Sequence, residues 1–265
     1  MINVVIVCVN YNSYSELERY LKSIDRAFVK TDKINLKVYI ADNSVQKESF
    51  SIKVNYEYEI VLFPNNGYFG SAFKIYNSVE LVHESDYLII SNVDVQVDES
   101  FFKELANTVI SSDIGWVAPT IYSIQEKRDK NPQRQKRPSY KKMKLLLFLF
   151  NHPVVESIYE NSLYKIKNRG KQTQGECDIY CGHGSFIILT KYFINKFETL
   201  YYPCFLYCEE LFLGELIRKK SLKVIYKPSL KVLDEEHCST GTLSNEKYYA
   251  FNKDSLKYIM ETFYK

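Results

Sequence analysis

Three apolar runs in this sequence end on paired amides and acids: Asn10 and Asn12 after Val4 to Val9, Asp42 and Asn43 after Leu36 to Ala41, and Asn92 and Asp94 after Tyr87 to Ser91. A fourth cluster, Glu209-Glu210, sets two adjacent carboxyls inside the apolar run Phe205 to Leu213. Charge is costly to bury unless it is paired or used, so adjacent acids there point to chemistry. Asp94 is read as an acid that meets a metal-bound diphosphate. No G-x-G-x-x-G follows the first apolar run and no G-x-x-x-x-G-K-[ST] occurs anywhere, so a diphosphate here must find its positive charge elsewhere than in a glycine-rich cradle. A carboxylate holding Mg²⁺ or Mn²⁺ supplies that charge, because protein and phosphate oxygens together complete the shell of a hard cation.

The elements that must position these groups alternate. Val4 to Val9 is continuous and β-branched, which suits a strand buried on both faces. Ser15 with Glu18 forms the pattern of a capping box, opening a helix with Leu17, Leu21, Ile24 and Phe28 on one face. Leu36 to Ala41 and Glu59 to Phe63 read as further strands, the latter stopped by Pro64. The loop from Asn65 to Gly70 enters a helix carrying Phe73, Tyr76 and Val79, and the strand Tyr87 to Ser91 precedes a helix over Glu99 to Ser111 capped by Asp98. Such alternation predicts an α/β fold with a mostly parallel central sheet and helices on both faces, and ligands beyond the carboxyl ends of its strands.

The 265 residues, 46% hydrophobic and 25% charged, can build a substantial core. Six cysteines without an export signal are read as free thiols, since the Cys177/Cys181 and Cys204/Cys208 pairs lack zinc-knuckle spacing despite His183 and His237 nearby. The N-terminus has no basic stretch or cleavage site, and the longest apolar run, Leu145 to Phe150, is too short to span a bilayer. The expected location is therefore the cytoplasm. Net charge is +3, yet Lys127 to Lys144 carries nine basic residues against one acid, leaving 26 basic and 31 acidic residues elsewhere. That distribution argues against nucleic acid as a partner. A basic flank before an apolar run resembles an interfacial helix, placing the chain peripherally at the anionic inner face of the cell membrane.

The residues resemble inverting GT-A glycosyltransferases of family 2, especially the rhamnosyltransferase-like branch. The likeness rests on Val9-Asn10-Tyr11-Asn12-Ser13, Asp42-Asn43-Ser44, Asn66-Gly67-Tyr68-Phe69-Gly70 with Asn77, and Asn92-Val93-Asp94. It continues through Gly184-Ser185-Phe186, Phe205 to Glu210 with Arg218, and His237-Cys238-Ser239-Thr240. It implies a single GT-A domain over residues 1–265: a nucleotide-sugar-binding half to 119, a basic and apolar insertion over 120–170, and an acceptor half with a C-terminal helix over 171–265.

The resemblance also implies roles. Asn10, Asn12, Asp42, Asn66, Gly67, Gly70 and Asn92 would line the nucleotide sugar, with Asp42 accepting the imide N–H of uracil or thymine. Asp94 would be the D-x-D metal contact and His237 a second one, while Asn92 in place of the first acid leaves the metal poorly neutralised without nucleotide. Glu210 matches the general base, with Glu209 beside it, and His183 and Gly184 fall where the acceptor binds. The reaction implied is inverting transfer of a hexose or deoxyhexose, rhamnose included, from a UDP- or dTDP-sugar to a growing cell-surface polysaccharide or lipid-linked glycan. The rivals are a sugar nucleotidyltransferase, which normally begins with a Gly-rich basic loop, and a non-catalytic nucleotide- or glycan-binding protein, which would tolerate loss of Glu210.

Overall fold

A computed structural model of the chain describes residues 1–64, 67–153, 155, 175–235 and 244–264. Ten strands form one sheet, and the order along its main path is β3-β2-β1-β4-β9-β6-β10-β5. The first four are β1 (Ile2–Asn10), β2 (Ile34–Asp42), β3 (Glu57–Leu62) and β4 (Tyr87–Asn92), and all pair in parallel. They are followed by β5 (Val95–Val97), β6 (Ile114–Ser123), β7 (Arg128–Asp129), β8 (Cys177–Ile179), β9 (Phe186–Thr190) and β10 (Lys223–Asp234). The expected parallel layer thus extends from β3 to β4. There it meets β9, which runs antiparallel to both β4 and β6. Parallel pairing resumes between β6 and β10, and β10 carries β5 and β8 antiparallel.

The eight helices among the described residues are α1 (Tyr14–Phe28), α2 (Phe69–Ser78), α3 (Glu80–His83), α4 (Phe101–Asn107), α5 (Tyr140–Asn151), α6 (Lys191–Ile194), α7 (Glu209–Lys219) and α8 (Asn245–Phe263). β1 shows why the sheet needs helices on both faces. Val5, Val7 and Val9 belong to one apolar cluster with Phe69, Phe73 and Tyr76 of α2, while Val4, Ile6 and Cys8 belong to another with Leu17, Leu21 and Ile24 of α1. Successive strand side chains point to opposite faces, so one continuous apolar run feeds two cores. The ends of β1, β2 and β4 are thereby held level.

Local expectations held unevenly. The capping box over Ser15 and Glu18 does not form: α1 starts two residues earlier with Ser13 at its N-cap, Ser15 bonds Glu16, and Glu18 pairs with Lys22 at 2.5 Å. Ser15 already lies in the helix, so its hydroxyl cannot close the end. Asp98 is not the cap of the next helix either: α4 is shorter than expected, Phe101–Asn107 with Ser100 at its N-cap, and Asp98 accepts the Ser100 amide N–H at 2.9 Å in the turn before it. The helix expected near Leu243 is α8, whose N-cap Ser244 accepts from the Lys247 amide.

The basic segment is partly drawn inward. Lys130 pairs with Asp234, and Arg137 pairs with the fully buried Glu215 at 2.5 Å. Further along, α5 exposes Lys141 and Lys144 together with Tyr140, Leu145 and Phe148. Among the described residues no helix is long and apolar enough to cross a membrane. Cys8, Cys177, Cys181, Cys204 and Cys208 are free, and Cys238 lies outside the described residues.

Candidate active site

The loops after β1 and β2 are tied together by their own amides and acids. Asn10, fully buried, donates from Nδ2 to Asp42 Oδ1 at 3.1 Å and to Ser44 Oγ at 3.2 Å, and its Oδ1 accepts the Ser13 amide. Asn12 accepts the Val45 amide at 3.0 Å, and its own amide donates to Ser44 Oγ at 2.8 Å. Asp42 also accepts from Tyr14 at 2.8 Å and from the Ser44 amide and hydroxyl, with the Lys47 ammonium at 3.6 Å. Burial acts to raise the Asp42 pKa, but the Ser44 and Tyr14 hydrogen bonds and the Lys47 charge outweigh it and hold the carboxyl below its usual range. Asp42 is therefore an ionised, acceptor-only group at the end of β2. Asn10 and Asn12 brace this corner.

The second corner is bridged by Asn43, which donates to Ser71 Oγ at 2.8 Å and accepts the Gly67 amide at 2.9 Å. Gly67 leads to Tyr68, the N-cap of α2, which sits at φ 43° and ψ −126°. A bulky residue at such a φ is strained, and strain of this kind persists where the surroundings impose it. Gly70 has open space in the direction of a Cβ. Asn66 lies outside the described residues.

At the end of β4, Val9, Tyr11, Ser13, Tyr68, Asn92, Val93 and Asp94 line an open cleft. Burial pushes the Asp94 carboxyl up to about 6, helped by the charge of Asp234 and opposed by Lys130 and a hydrogen bond from Asn92. Asp234 ends β10 opposite Val95 and is itself buried, with Lys130 Nζ 3.0 Å from its Oδ2. In the sequence Asp234 is simply the first acid of Asp234-Glu235-Glu236; the pairing of β10 with β5 sets it opposite Val95, next to Asp94 in the chain. Asp94, Asp234 and the Asn92 amide present only oxygens as acceptors, and a cation would offset the burial, and then the Asp234 charge, that raise Asp94. That donor set fits Mg²⁺ or Mn²⁺ with the remaining shell left to ligand oxygens. No cluster of three or more His, Cys, Asp or Glu suited to a metal exists among the described residues, and His237 lies outside them.

The acid pair begins α7. It follows two consecutive left-handed residues, Tyr207 at φ 71° and Cys208 at φ 62°, a turn that aims the first helical residues inward. Glu209 is 5% exposed and its Oε1 has no hydrogen-bond partner. Burial, then the neighbouring Glu210, pushes Glu209 up to about 8. Glu210 is raised by burial as well, but Arg134 and a hydrogen bond from Gln133 oppose the shift. The charge of Glu210 opposes ionisation of Glu209, so the titrations of the two carboxyls are linked.

Tyr68 connects the two groups. Its hydroxyl lies 3.5 Å from Asn92 Oδ1, and burial raises its pKa with the charges of Glu209 and Asp94 adding to the effect. On the other side a Cβ placed on Gly184 would sit 3.8 Å from Glu210 Oε2. His183 Nδ1 accepts the Ser185 amide N–H at 3.2 Å, which puts the proton of the neutral ring on Nε2. Gly182, just before it, has no room for a side chain, since a Cβ there would come within 2.8 Å of Ala118 and 2.9 Å of the Trp116 ring. Asn92, Asp94, Glu209, Glu210 and Gly184 thus lie in one region, and Asp42 ends β2, separated from β4 by β1. Sequence reasoning missed Tyr68, Asp234, Lys130 and Arg134.

No curated protein matches the chain. Among solved structures, it resembles GalNAc-T7, crystallised with UDP, GalNAc and Mn²⁺, with a TM-score of 0.61 and 12% identity over 100% of this chain and 49% of that one. It also resembles S. aureus TarS, with a TM-score of 0.57 and 13% identity over 95% of this chain and 38% of that one. The chain spans about half or less of these neighbours, and at such identity the likeness concerns the fold. Residues 4–190 match the family described as Glycosyl transferase family 2. With most of its length matched, and with the fold shared by glycosyltransferase structures, the chain belongs to glycosyl transferase family 2.

Proposed function

We propose that this chain is an inverting, metal-assisted transferase that moves a hexose or deoxyhexose, with rhamnose one candidate, from a UDP- or dTDP-sugar to a growing polysaccharide or lipid-linked glycan. The observation that carries the reading is the buried Glu209 with the half-buried Glu210 beside it at the start of α7, the Glu209 charge reaching Tyr68, whose hydroxyl lies 3.5 Å from Asn92 Oδ1. Acids held above their ordinary pKa in a cleft suit proton transfer.

In this reading Asp42 accepts the imide N–H of the pyrimidine, Asn10 and Asn12 hold the corner that presents it, and Gly67 and Gly70 leave the backbone accessible to the donor. Asp94 and Asp234 would hold Mg²⁺ or Mn²⁺. Bound there, the ion would neutralise charge developing on the leaving diphosphate. Glu210 removes the acceptor hydroxyl proton as that oxygen bonds to the anomeric carbon, and the diphosphate leaves with the electrons of the broken C–O bond. His183 and Gly184 flank the acceptor's path to Glu210. The exposed Tyr140, Leu145 and Phe148 beside Lys141 and Lys144 support contact with an anionic inner membrane face, where a lipid-linked acceptor would reside.

The nucleotide half is tested by Asp42→Asn. The amide cannot accept through both of its polar atoms, and it presents a donor to a donor. UDP and dTDP affinity, measured by calorimetry, is expected to fall by about tenfold or more, the range for a hydrogen bond to a charged group. Unchanged affinity in a folded variant would remove Asp42 from the base site.

A further inference from the structure

Lys130 belongs to the segment whose charge resembles a membrane-facing patch, yet its side chain is only 14% exposed and its ammonium lies 3.0 Å from Asp234 Oδ2. Asp234 sits opposite Val95 in the pairing of β10 with β5, and the Glu235 amide donates to the Asp94 carbonyl at 3.2 Å. Asp234, at the end of β10, and Lys130 therefore form an ion pair next to Asp94, close enough for both charges to reach the carboxyl that lines the cleft. Both Asp234 and Lys130 act on the Asp94 carboxyl, in opposite directions. A divalent ion seeking Asp94 and Asp234 together must displace or share the carboxylate that the ammonium holds. An ammonium has three donors and no need of an octahedral shell, so it can stay beside a phosphate as readily as beside a carboxylate.

We propose that Lys130 is a resident counter-cation of the diphosphate site, which competes with a divalent ion for Asp234 and contributes part of the positive charge that the donor diphosphate meets. The proposal rests on the reading of Asp94 as the diphosphate-side acid. It makes metal binding weak until nucleotide arrives, and it makes nucleotide binding only partly dependent on metal.

The test is titration of the full chain with Mn²⁺ in the absence of nucleotide, following free Mn²⁺ by electron paramagnetic resonance. Lys130→Met is expected to bind Mn²⁺ about tenfold more tightly than the unmodified chain, a change of about 1.4 kcal/mol. Adding Asp234→Asn to that variant is expected to abolish the gain. Equal or weaker Mn²⁺ binding by folded Lys130→Met overturns the proposal. A second measurement needs no variant: UDP and dTDP should bind the unmodified chain in EDTA within about tenfold of their affinity with Mn²⁺. Binding that vanishes in EDTA also overturns the role of Lys130. Absence of nucleotide binding under both conditions defeats instead the donor-site reading beneath it.

Discussion

Glu210→Gln is expected to lower kcat by a factor on the order of 10²–10⁴, the range for loss of a positioned general base, while donor affinity stays near its original value. The amide keeps the size and the polar contacts of the carboxyl but cannot take a proton. Glu209→Gln is expected to act differently. Burial and then the Glu210 charge raise Glu209, and Glu210 is raised in the same pocket, so the pair should lose activity at a higher pH than an isolated glutamate would. A base works deprotonated, and a raised pKa means that activity is lost sooner as pH falls. It is the Glu210 charge that raises Glu209 and not the reverse, so Glu209 is still protonated where Glu210 ionises, and Glu209→Gln should leave the acid limb of the kcat profile close to its original place. Turnover that survives both substitutions would exclude this pair as the base.

The second large effect concerns Glu215 on α7, which has no part in the proposed chemistry but is central to the scaffold. Its fully buried carboxylate receives Arg137 at 2.5 Å, Arg218 at 2.8 Å and the Tyr180 hydroxyl at 2.8 Å. Arg137 in turn donates to the Phe263 carbonyl at 2.9 Å and stacks 3.8 Å from the Tyr264 ring centre. One carboxylate thus ties the basic segment, α7 and the end of α8 together. Glu215→Ala leaves two guanidinium groups without their counter-charge and the buried Tyr180 hydroxyl without its acceptor. Breaking a buried pair typically costs about 3–5 kcal/mol, and because both arginine side chains are partly exposed the lower end applies here, about 3 kcal/mol. The shift in urea midpoint checks this. A loss below about 1 kcal/mol would mean that the arginines simply turn to water, as at a surface pair.

The residues themselves explain which parts of this arrangement were readable in advance. Val4 to Val9 reads as a two-faced strand because nothing in it can face water, and the amides and acids that follow must then lie at the sheet's edge. The reversal at β9 was not readable, because the continuous apolar run Phe186 to Leu189 carries no information about its direction or its neighbours. Lys130 looked like one member of a solvated basic run, and its burial depends on the distant Asp234. Asp234 looked like one member of an acidic surface stretch for the same reason. The Ser15–Glu18 pattern fitted a cap equally well, but Ser13 and the turn at Asn12, with φ 53°, start the helix earlier. Local pattern named the acids at the strand ends; only long-range pairing shows which of them share a field.

The donor site is the claim on which the rest depends. A thermal-shift panel of UDP- and dTDP-sugars, each with and without Mn²⁺, tests it most directly, because a ligand that binds only the folded chain stabilises it by about 2.7 kcal/mol at a hundredfold excess over Kd. At least one nucleotide sugar is predicted to raise the Tm, with a larger rise in Mn²⁺ than without. No rise with any UDP- or dTDP-sugar, in either condition, would contradict the account.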